Sequence, residues 1–566
     1  MGVLSNDILK KLIIDTKLVD PETLERIFKD AERLNIDPQK VLISRRIIPS
    51  EILYETIAKF LGVKYIDIKK VNLTPKILNL IPEKIVLDKK VIPINLKDNT
   101  LEVGMLTPYD LNLITFLKNL TKKNIQPYLI SEEGFYRGLI AYNKLKTEEY
   151  KNLLETSKEY FLKPEFKEKE DIYTSGVVVE LFNNILNYAV SLNASDIHFE
   201  ILSEFSLIRF RVDGVLREIL RLDKDIHPAL IARIKILSNL KLDEHQKPQD
   251  GRMKIKIYDI EIDVRVSIMP TFYGEKAVLR LLSPLMRPSG LEELGLTGKN
   301  LEIVKNSLTK THGIILVTGP TGSGKTTTLY AILSLLNKPE VNITTIEDPI
   351  EYSIDYINQI QVNPQAGIDF ANGLRSILRQ DPNIIMVGEI RDKETTDIAI
   401  QAALTGHLVL STLHTNDAPS TIPRLIDLGA EKFLLAAVLR TIIAQRLVRK
   451  ICLDCISTYK LNDLEIEMLQ QEIKKRNLNI DISGDFYIGR GCQTCSFSGY
   501  SGRTGIFEVL EVDKELAEFI NSDYFNLEKL YEICRKKGMK SLIEDGLEKA
   551  KVGITTVSEV LRVIKE

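Results

Sequence analysis

Residues Thr311–Leu329 read Thr-His-Gly-Ile-Ile-Leu-Val-Thr-Gly-Pro-Thr-Gly-Ser-Gly-Lys-Thr-Thr-Thr-Leu, and this stretch decides the fold. Ile314–Val317 is a short apolar run rich in β-branched residues, typical of a strand that is buried on both faces. Gly319–Thr326 comes next and matches G-x-x-x-x-G-K-[ST] in full. A helical stretch, Thr327–Leu336, then follows. The order of strand, glycine-rich loop and helix predicts that the chain binds a nucleoside triphosphate.

The residue types of the loop suit phosphate binding. Glycines let backbone N–H groups curl around phosphate oxygens, and the following helix presents its positive end to the same anion. We expect Lys325 to reach the β- and γ-phosphates and the Thr326 hydroxyl to bind Mg²⁺. The predicted nucleotide-binding residues are Gly319, Pro320, Thr321, Gly322, Ser323, Gly324, Lys325, Thr326 and Thr327.

Length and composition indicate the general class of protein. A chain of 566 residues should hold three or four domains, and its 76 basic and 78 acidic residues nearly cancel. No sequence-wide charge therefore argues for nucleic acid or a membrane surface. Charged residues interrupt the first turns, and no apolar run reaches the about 18 residues of a membrane span. The expectation is a soluble, cytoplasmic protein.

The chain divides by pattern into four segments. Residues 1–142 form a small α+β docking domain with a weak helix–turn–helix repeat, in which Leu12–Leu24 recurs as Val41–Leu53. Residues 143–174 are a charged linker, and residues 175–283 form a second α+β domain. From residue 284 to 566, near-continuous apolar strands alternate with helices, which predicts a parallel, doubly wound sheet.

Two predicted strands of that sheet end in carboxylates. Glu347 follows Asn342–Ile346, and Glu389 follows Asn383–Val387 in the Walker B place, where Gly388 takes the usual aspartate position. We expect Glu389 to hold Mg²⁺ through water and Glu347 to polarise the attacking water as a base. A third carboxylate, Glu351, has no assigned role.

Histidines bracket the next strand. His407 and His414 stand before and after its apolar core. A neutral histidine beside a P-loop can hydrogen-bond a phosphate or a carboxylate, so both are predicted to lie at the site.

Four of the five cysteines fall in two C-x-x-C pairs. They predict one structural Zn²⁺ site in an insertion at about residues 450–500, because two such knuckles supply four thiolates. The alternative is four unrelated buried thiols. The interval between the pairs is longer than the about 15–20 residues of a compact ribbon, so a helix at Leu461–Leu478 must be inserted. The predicted zinc ligands are Cys452, Cys455, Cys492 and Cys495, whereas Cys534 is expected in the core.

Several motifs together resemble the ATPase superfamily of type IV pilus and type II secretion motors. They are Glu347-Asp348-Pro349, Gly388–Asp392, the histidine box, Ala194–Glu200, Phe210–Gly214, Gly274–Lys276, the second cysteine pair and Gly502–Glu508. The chain looks most similar to the pilus assembly ATPase (PilB-like), with the type II secretion ATPase (GspE-like) as a near twin.

The resemblance implies a homohexameric, Mg²⁺-dependent ATPase at the cytoplasmic face of the inner membrane, where it moves a membrane platform protein. It implies a C-terminal RecA-like P-loop domain, a preceding PAS-like domain and an N-terminal MshEN-like domain. Family arginines that approach the phosphates correspond to Arg265 and Arg280, so the implied catalytic set is Glu347, Glu389, Arg265, Arg280 and His414. Pilus extension is the first interpretation and type II secretion the alternative.

Two alternatives come from other classes of protein. A nucleotide-sensing scaffold would bind ATP without turnover, but Glu347, Glu389 and the two arginines argue against a dead site. A nucleic-acid motor would share the P-loop fold, but a near-neutral chain without a basic stripe argues against it.

Some relatives bind cyclic di-GMP through a doubled motif that opens each half with Arg-Leu-Gly. The corresponding positions here read Leu9-Lys10-Lys11 and Pro38-Gln39-Lys40. Without the arginine fork and the glycine, we expect weak binding of cyclic di-GMP or none.

Overall fold

The computed structural model describes residues 4, 6–34, 37–44, 47–145, 152, 176–257, 260–282, 290–476, 478, 480–492, 495 and 497–565. The chain divides into two compact units, Met1–Arg287 and Pro288–Glu566. Most of the predicted linker, residues 143–174, lies outside the described residues, and its first three residues end the helix Glu132–Leu145.

Four short helices open the first unit and pack around an aliphatic core. They are Asn6–Asp15, Pro21–Leu34, Pro38–Ser44 and Ser50–Phe60. Leu24 and Leu53, one from each copy of the predicted repeat, are fully buried in that core. The helix–turn–helix pattern of the repeat therefore agrees with the structure.

A four-stranded sheet follows, in the order β1-β4-β3-β2. Only the β2–β3 pair is antiparallel. The strands are β1 (Lys64–Tyr65), β2 (Val91–Lys97), β3 (Thr100–Met105) and β4 (Asn124–Leu129), and the helices are Pro75–Leu78, Glu83–Lys89, Leu111–Thr121 and Glu132–Leu145. This part has a second core, which includes Ile92 and Val103.

The second half of this unit is a six-stranded antiparallel sheet in the order β7-β6-β5-β10-β9-β8. The strands are β5 (Asp196–Ile201), β6 (Phe205–Val212), β7 (Val215–Asp223), β8 (Gln249–Ile257), β9 (Ile260–Thr271) and β10 (Gly274–Leu282), with helices Gly176–Ser191 and His227–Leu237. Burial alternates strictly along β6, so one face of the sheet covers a core and the other is partly exposed.

The second unit is built on a seven-stranded sheet in the order β13-β12-β14-β15-β11-β16-β19. Neighbouring strands are parallel except the β16–β19 pair. The strands are β11 (Gly313–Thr318), β12 (Ile343–Glu347), β13 (Ile357–Gln361), β14 (Ile384–Val387), β15 (Leu408–Leu413), β16 (Leu439–Ile451) and β19 (Tyr500–Glu511).

Helices cover both faces of this sheet. Those of the second unit are Gly298–Ser307, Lys325–Leu336, Phe370–Ile377, Lys393–Leu404, Thr421–Asp427, Lys432–Val438, Asp463–Lys475, Lys514–Asn521, Leu527–Lys536, Leu542–Lys551 and Val557–Lys565. Along β11, Ile314 and Leu316 belong to one core and Ile315 and Val317 to another. A strand with a core on each face must be apolar at every position, which explains the unbroken apolar run Ile314–Val317.

Between the cysteine pairs lie a two-stranded ribbon, β17 (Ile456–Tyr459) with β18 (Phe486–Gly489), and the helix Asp463–Lys475. The predicted inserted helix is thus present. In the described part of the chain, none of the helices combines the length and the apolar character that a membrane span requires.

Candidate nucleotide-binding site

The phosphate loop connects the end of β11 to the helix that begins at Lys325. Gly324 has a φ of +88°, and a Cβ there would lie 2.8 Å from the Gln445 side-chain nitrogen. At Gly319 a Cβ would lie 2.5 Å from the Gln445 carbonyl oxygen. Both positions require glycine because β16 passes directly against the loop.

Lys325 lies inside the loop. Its ammonium donates to the Gly319 carbonyl at 2.7 Å and to the Pro320 carbonyl at 3.1 Å. Burial lowers the pKa of Lys325 to about 8; Glu389 opposes this shift and Arg446 adds to it. A buried ammonium held by two carbonyl groups is suited to exchange them for phosphate oxygens.

Other loop residues also suit a phosphate and its metal. Thr326 and Thr327 are exposed in the first turn of the helix, and the Ser323 hydroxyl is buried with no partner among the described residues. A buried hydroxyl fits an incoming oxygen that can accept its hydrogen bond. Thr326 is therefore available for Mg²⁺ and Ser323 for phosphate.

Glu389 and His414 meet at the carboxyl ends of β14 and β15. The His414 Nε2 lies 3.6 Å from a Glu389 oxygen, and Arg391 pairs with the other oxygen at 2.5 Å. Burial and then Lys325 lower the pKa of His414, against the pull of Glu389, so the ring is neutral near pH 7. The two predicted site residues do lie together, and Glu389 is close enough to Lys325 to affect its pKa.

Glu347 ends β12 and is buried. One of its oxygens accepts a short hydrogen bond from the Tyr330 hydroxyl. The other accepts from the Thr345 hydroxyl at 2.5 Å and from the Gln359 amide at 3.1 Å. Three donors fix the direction of this carboxylate.

Gly388 occupies the usual aspartate position for a packing reason. A Cβ there would lie 3.3 Å from both the Ile346 carbonyl oxygen and the Phe370 ring. A side chain at position 388 would therefore require small shifts of these neighbours, and the adjacent Glu389 supplies a carboxylate one residue further along.

His407 does not lie at the site, contrary to the sequence prediction. It precedes β15, and its carbonyl accepts from Gly313 at the start of β11. Its Nδ1 donates to the Ala402 carbonyl at the end of the preceding helix. The six residues of β15 separate its ends by about 17–20 Å, so only the histidine after the strand reaches the loop.

Sequence reasoning missed two supporting residues on β16. The Gln445 side chain accepts from Thr328 at 2.6 Å. Arg446 is buried beside Gly319 and donates to the Asn416 carbonyl at 3.0 Å, which joins the loop to the segment after His414. The sequence signal that could have identified them is the polar pair Gln445-Arg446 within the mostly apolar strand β16.

The two predicted arginines, Arg265 and Arg280, lie in the six-stranded sheet. Arg252, Arg265 and Arg280 stand directly opposite one another on β8, β9 and β10. Arg280 also pairs with Asp196 of β5, at 3.0 Å. The antiparallel register of β8, β9 and β10 thus places three guanidinium groups on neighbouring strands.

The four knuckle cysteines converge. Their sulfurs all lie within 4.8 Å of one another, and the Cys452–Cys492 and Cys455–Cys495 distances are 3.8 and 3.9 Å. Tetrahedral Zn–S bonds of about 2.3 Å imply almost this sulfur spacing. Backbone N–H groups of Cys492 and Gly499 donate to the Cys495 sulfur, at 3.2 Å each. The donor set fits Zn²⁺, whereas Cys534 is fully buried in the core, as predicted.

Comparison with known proteins adds two family matches. Residues 171–562 match the family described as Type II/IV secretion system protein. Residues 61–145 match the MshEN domain, so that match begins after the four opening helices.

Two relatives carry type II secretion names. The Type II secretion system ATPase E of Vibrio cholerae is 44% identical over 81% of this chain and 92% of its own length. The Type II secretion system protein E of Dickeya dadantii is 46% identical over 77% of this chain and 87% of its own length. These names favour the alternative, type II secretion, over pilus extension.

Among solved structures, the Legionella pneumophila ATPase DotB has a TM-score of 0.52 at 23% identity. The match covers 68% of this chain and 95% of that chain. At this identity the likeness concerns the fold alone, which is the mixed α/β fold of an ATPase.

Proposed function

This chain belongs to the type II/IV secretion system protein family, and we propose that it is the Mg²⁺-dependent ATPase of a type II secretion system. The observation that carries the proposal is the 44% identity to a type II secretion ATPase across 81% of the chain. The P-loop geometry supports it, because Lys325 is already buried among groups that phosphate can replace. Pilus extension becomes the second candidate.

The proposed chemistry assigns one task to each site residue. The loop residues 319–327 hold the triphosphate, with Lys325 on the β- and γ-phosphates and Thr326 as a ligand of Mg²⁺, which neutralises developing charge. Glu389 would hold Mg²⁺ through water, and Glu347 would take a proton from the attacking water as a base. Neutral His414, which lies beside Glu389, would hydrogen-bond a phosphate or a carboxylate of the site.

Arg265 and Arg280 are proposed to meet the phosphates during turnover. A guanidinium is always charged and binds phosphate in a bidentate manner, and such a residue can raise the rate by about 10³-fold or more. The pairing of β9 with β10 supports a joint role, because it places Arg265 directly opposite Arg280.

The four cysteines are proposed to hold one structural Zn²⁺. Four thiolates leave no open coordination position, so the metal would fix the ribbon against β16 and β19 rather than take part in hydrolysis.

The proposed assembly is a homohexamer at the cytoplasmic face of the inner membrane. Family membership supports it, and the N-terminal domain is the proposed docking arm toward a platform protein. No nucleic-acid partner and no cyclic di-GMP site are proposed.

Two measurements test the function. Purified protein should release phosphate from ATP in the presence of Mg²⁺, and Lys325→Ala should not. In the source organism, replacing the gene by the Lys325→Ala form should stop the release of folded exoproteins and leave surface pili intact. Loss of pili with normal protein release would instead establish the pilus function.

A further inference from the structure

The Tyr330 hydroxyl is the centre of a buried polar cluster around Glu347. It donates to one Glu347 oxygen and accepts from the Glu351 backbone N–H at 3.1 Å. The Gln359 amide lies 3.4 Å from the same hydroxyl. Tyr330 is fully buried, and none of these contacts is explained by nucleotide binding alone.

The cluster leaves little freedom to the Glu347 carboxylate. A carboxylate offers about four lone-pair positions, and Tyr330, Thr345 and Gln359 fill three of them. Among the described donors, one position on the Tyr330-bonded oxygen therefore stays open. A general base needs one such position, aimed at one proton.

Packing also fixes Tyr330 itself. The Tyr352 ring meets it edge-on, with ring centroids 4.6 Å apart at 82°. Tyr330 belongs to the helix Lys325–Leu336, whose first turn completes the phosphate loop. The hydroxyl thus connects the helix that would bind phosphate to the strand end that carries the carboxylate.

We propose that Tyr330 is a positioning residue for Glu347: its hydroxyl orients the carboxylate from the P-loop helix, so turnover depends on it while nucleotide affinity does not. This inference rests on the proposed ATPase function and on Glu347 as its base. Gln359 supports the same orientation from β13.

The test is a double-mutant cycle on the full-length protein. Tyr330→Phe removes only the hydroxyl, and we expect kcat for ATP to fall on the order of 10- to 100-fold, because a hydrogen bond to a charged group is lost. The KM for ATP should change less than about threefold. In a Glu347→Gln background, Tyr330→Phe should lower kcat less than about twofold, since the group it positions is gone.

Tyr142→Phe is the matched control. It also removes one buried hydroxyl, which donates to the Leu78 and Ile81 carbonyls, but it does not contact Glu347. It should leave kcat unchanged. If melting curves show that Tyr330→Phe does not fold, Gln359→Met replaces it, because Gln359 is partly exposed. We expect the same loss of kcat, and again a loss of less than about twofold in the Glu347→Gln background.

Three outcomes overturn the inference: wild-type kcat in Tyr330→Phe, an equal loss of kcat with and without Glu347, or a rise in KM alone. These outcomes differ from a failure of the proposed function. In that case the wild-type protein would not hydrolyse ATP, and no cycle could be measured.

Discussion

Lys325 combines burial with a charge that the site needs. Its pKa is lowered to about 8, while bound phosphate favours the protonated form. Above that pH the nucleotide-free protein must take up a proton when it binds ATP.

We therefore predict that ATP affinity weakens as the pH rises through about 8, approaching a tenfold higher Kd per pH unit, as expected for uptake of one proton. Fluorescence titration with a labelled nucleotide between about pH 7 and pH 9 measures this dependence of Kd on pH. Lys325→Arg stays charged throughout and should give a flat profile. A wild-type Kd that does not change over this range would contradict the assignment.

The two carboxylates are predicted to act on hydrolysis rather than on binding. Glu347→Gln and Glu389→Gln should retain ATP while phosphate release falls by about 10²-fold or more, because general-base and metal-orienting roles act in the transition state. Exposed Glu394→Gln, from the start of the helix Lys393–Leu404, is the control. Normal phosphate release in both glutamine variants would disprove the site assignment.

At the scale of elements, the cysteine ribbon and the strands β8, β9 and β10 each bring chemically similar side chains together. The ribbon brings four sulfurs together, and the antiparallel register brings three arginines into a row.

Freshly purified protein should contain about one zinc per chain, and Cys492→Ser should lose most of it, since three thiolates bind far less tightly than a closed tetrahedral set. Elemental analysis measures the metal. Cys534→Ser removes a buried thiol outside the cluster and should keep its zinc. Wild-type protein with far less than one zinc per chain would speak against the site.

Arg265→Ala and Arg280→Ala should lower kcat for ATP by about 10²-fold or more with a smaller change in nucleotide affinity, because a phosphate-binding arginine acts mainly on the transition state. Arg217→Ala, from edge strand β7 of the same sheet, is the control. If turnover is unaffected in both variants, the arginines are ordinary surface residues of their strands.

For the whole molecule, the N-terminal domain raises the question of a regulatory ligand. The chain matches the MshEN domain over residues 61–145, yet its opening helices have lysines and a proline where the ligand motif has Arg-Leu-Gly.

We predict that titration calorimetry of the full chain with cyclic di-GMP shows no micromolar binding, because no arginine fork is available for a guanine edge at those positions. ATP, titrated in the same way, shows that the preparation is active. A dissociation constant of micromolar order or tighter would mean that the degenerate motif still binds.

The sequence by itself determined the local chemistry. The Gly319–Thr326 motif, the strand that precedes it and the helix that follows are short-range patterns, and each lies where the pattern predicted. The cysteine spacing likewise identified the four sulfurs that converge. Such signals survive without tertiary information because they depend on neighbours in the chain.

Only the tertiary structure decided which distant residues meet. β16 and β19 contain Gln445, Arg446 and Glu508, which break the apolar pattern of a buried strand. Their side chains hydrogen-bond Thr328 of the helix that follows the phosphate loop and the segment after His414. His407 and His414 look equivalent in sequence, but the length of β15 separates them. Strand register, which is set by the packing of whole faces, aligned the arginines and placed Gln359 of β13 beside Glu347. The packing of the helix Lys325–Leu336 against the sheet brought Tyr330 to the same carboxylate.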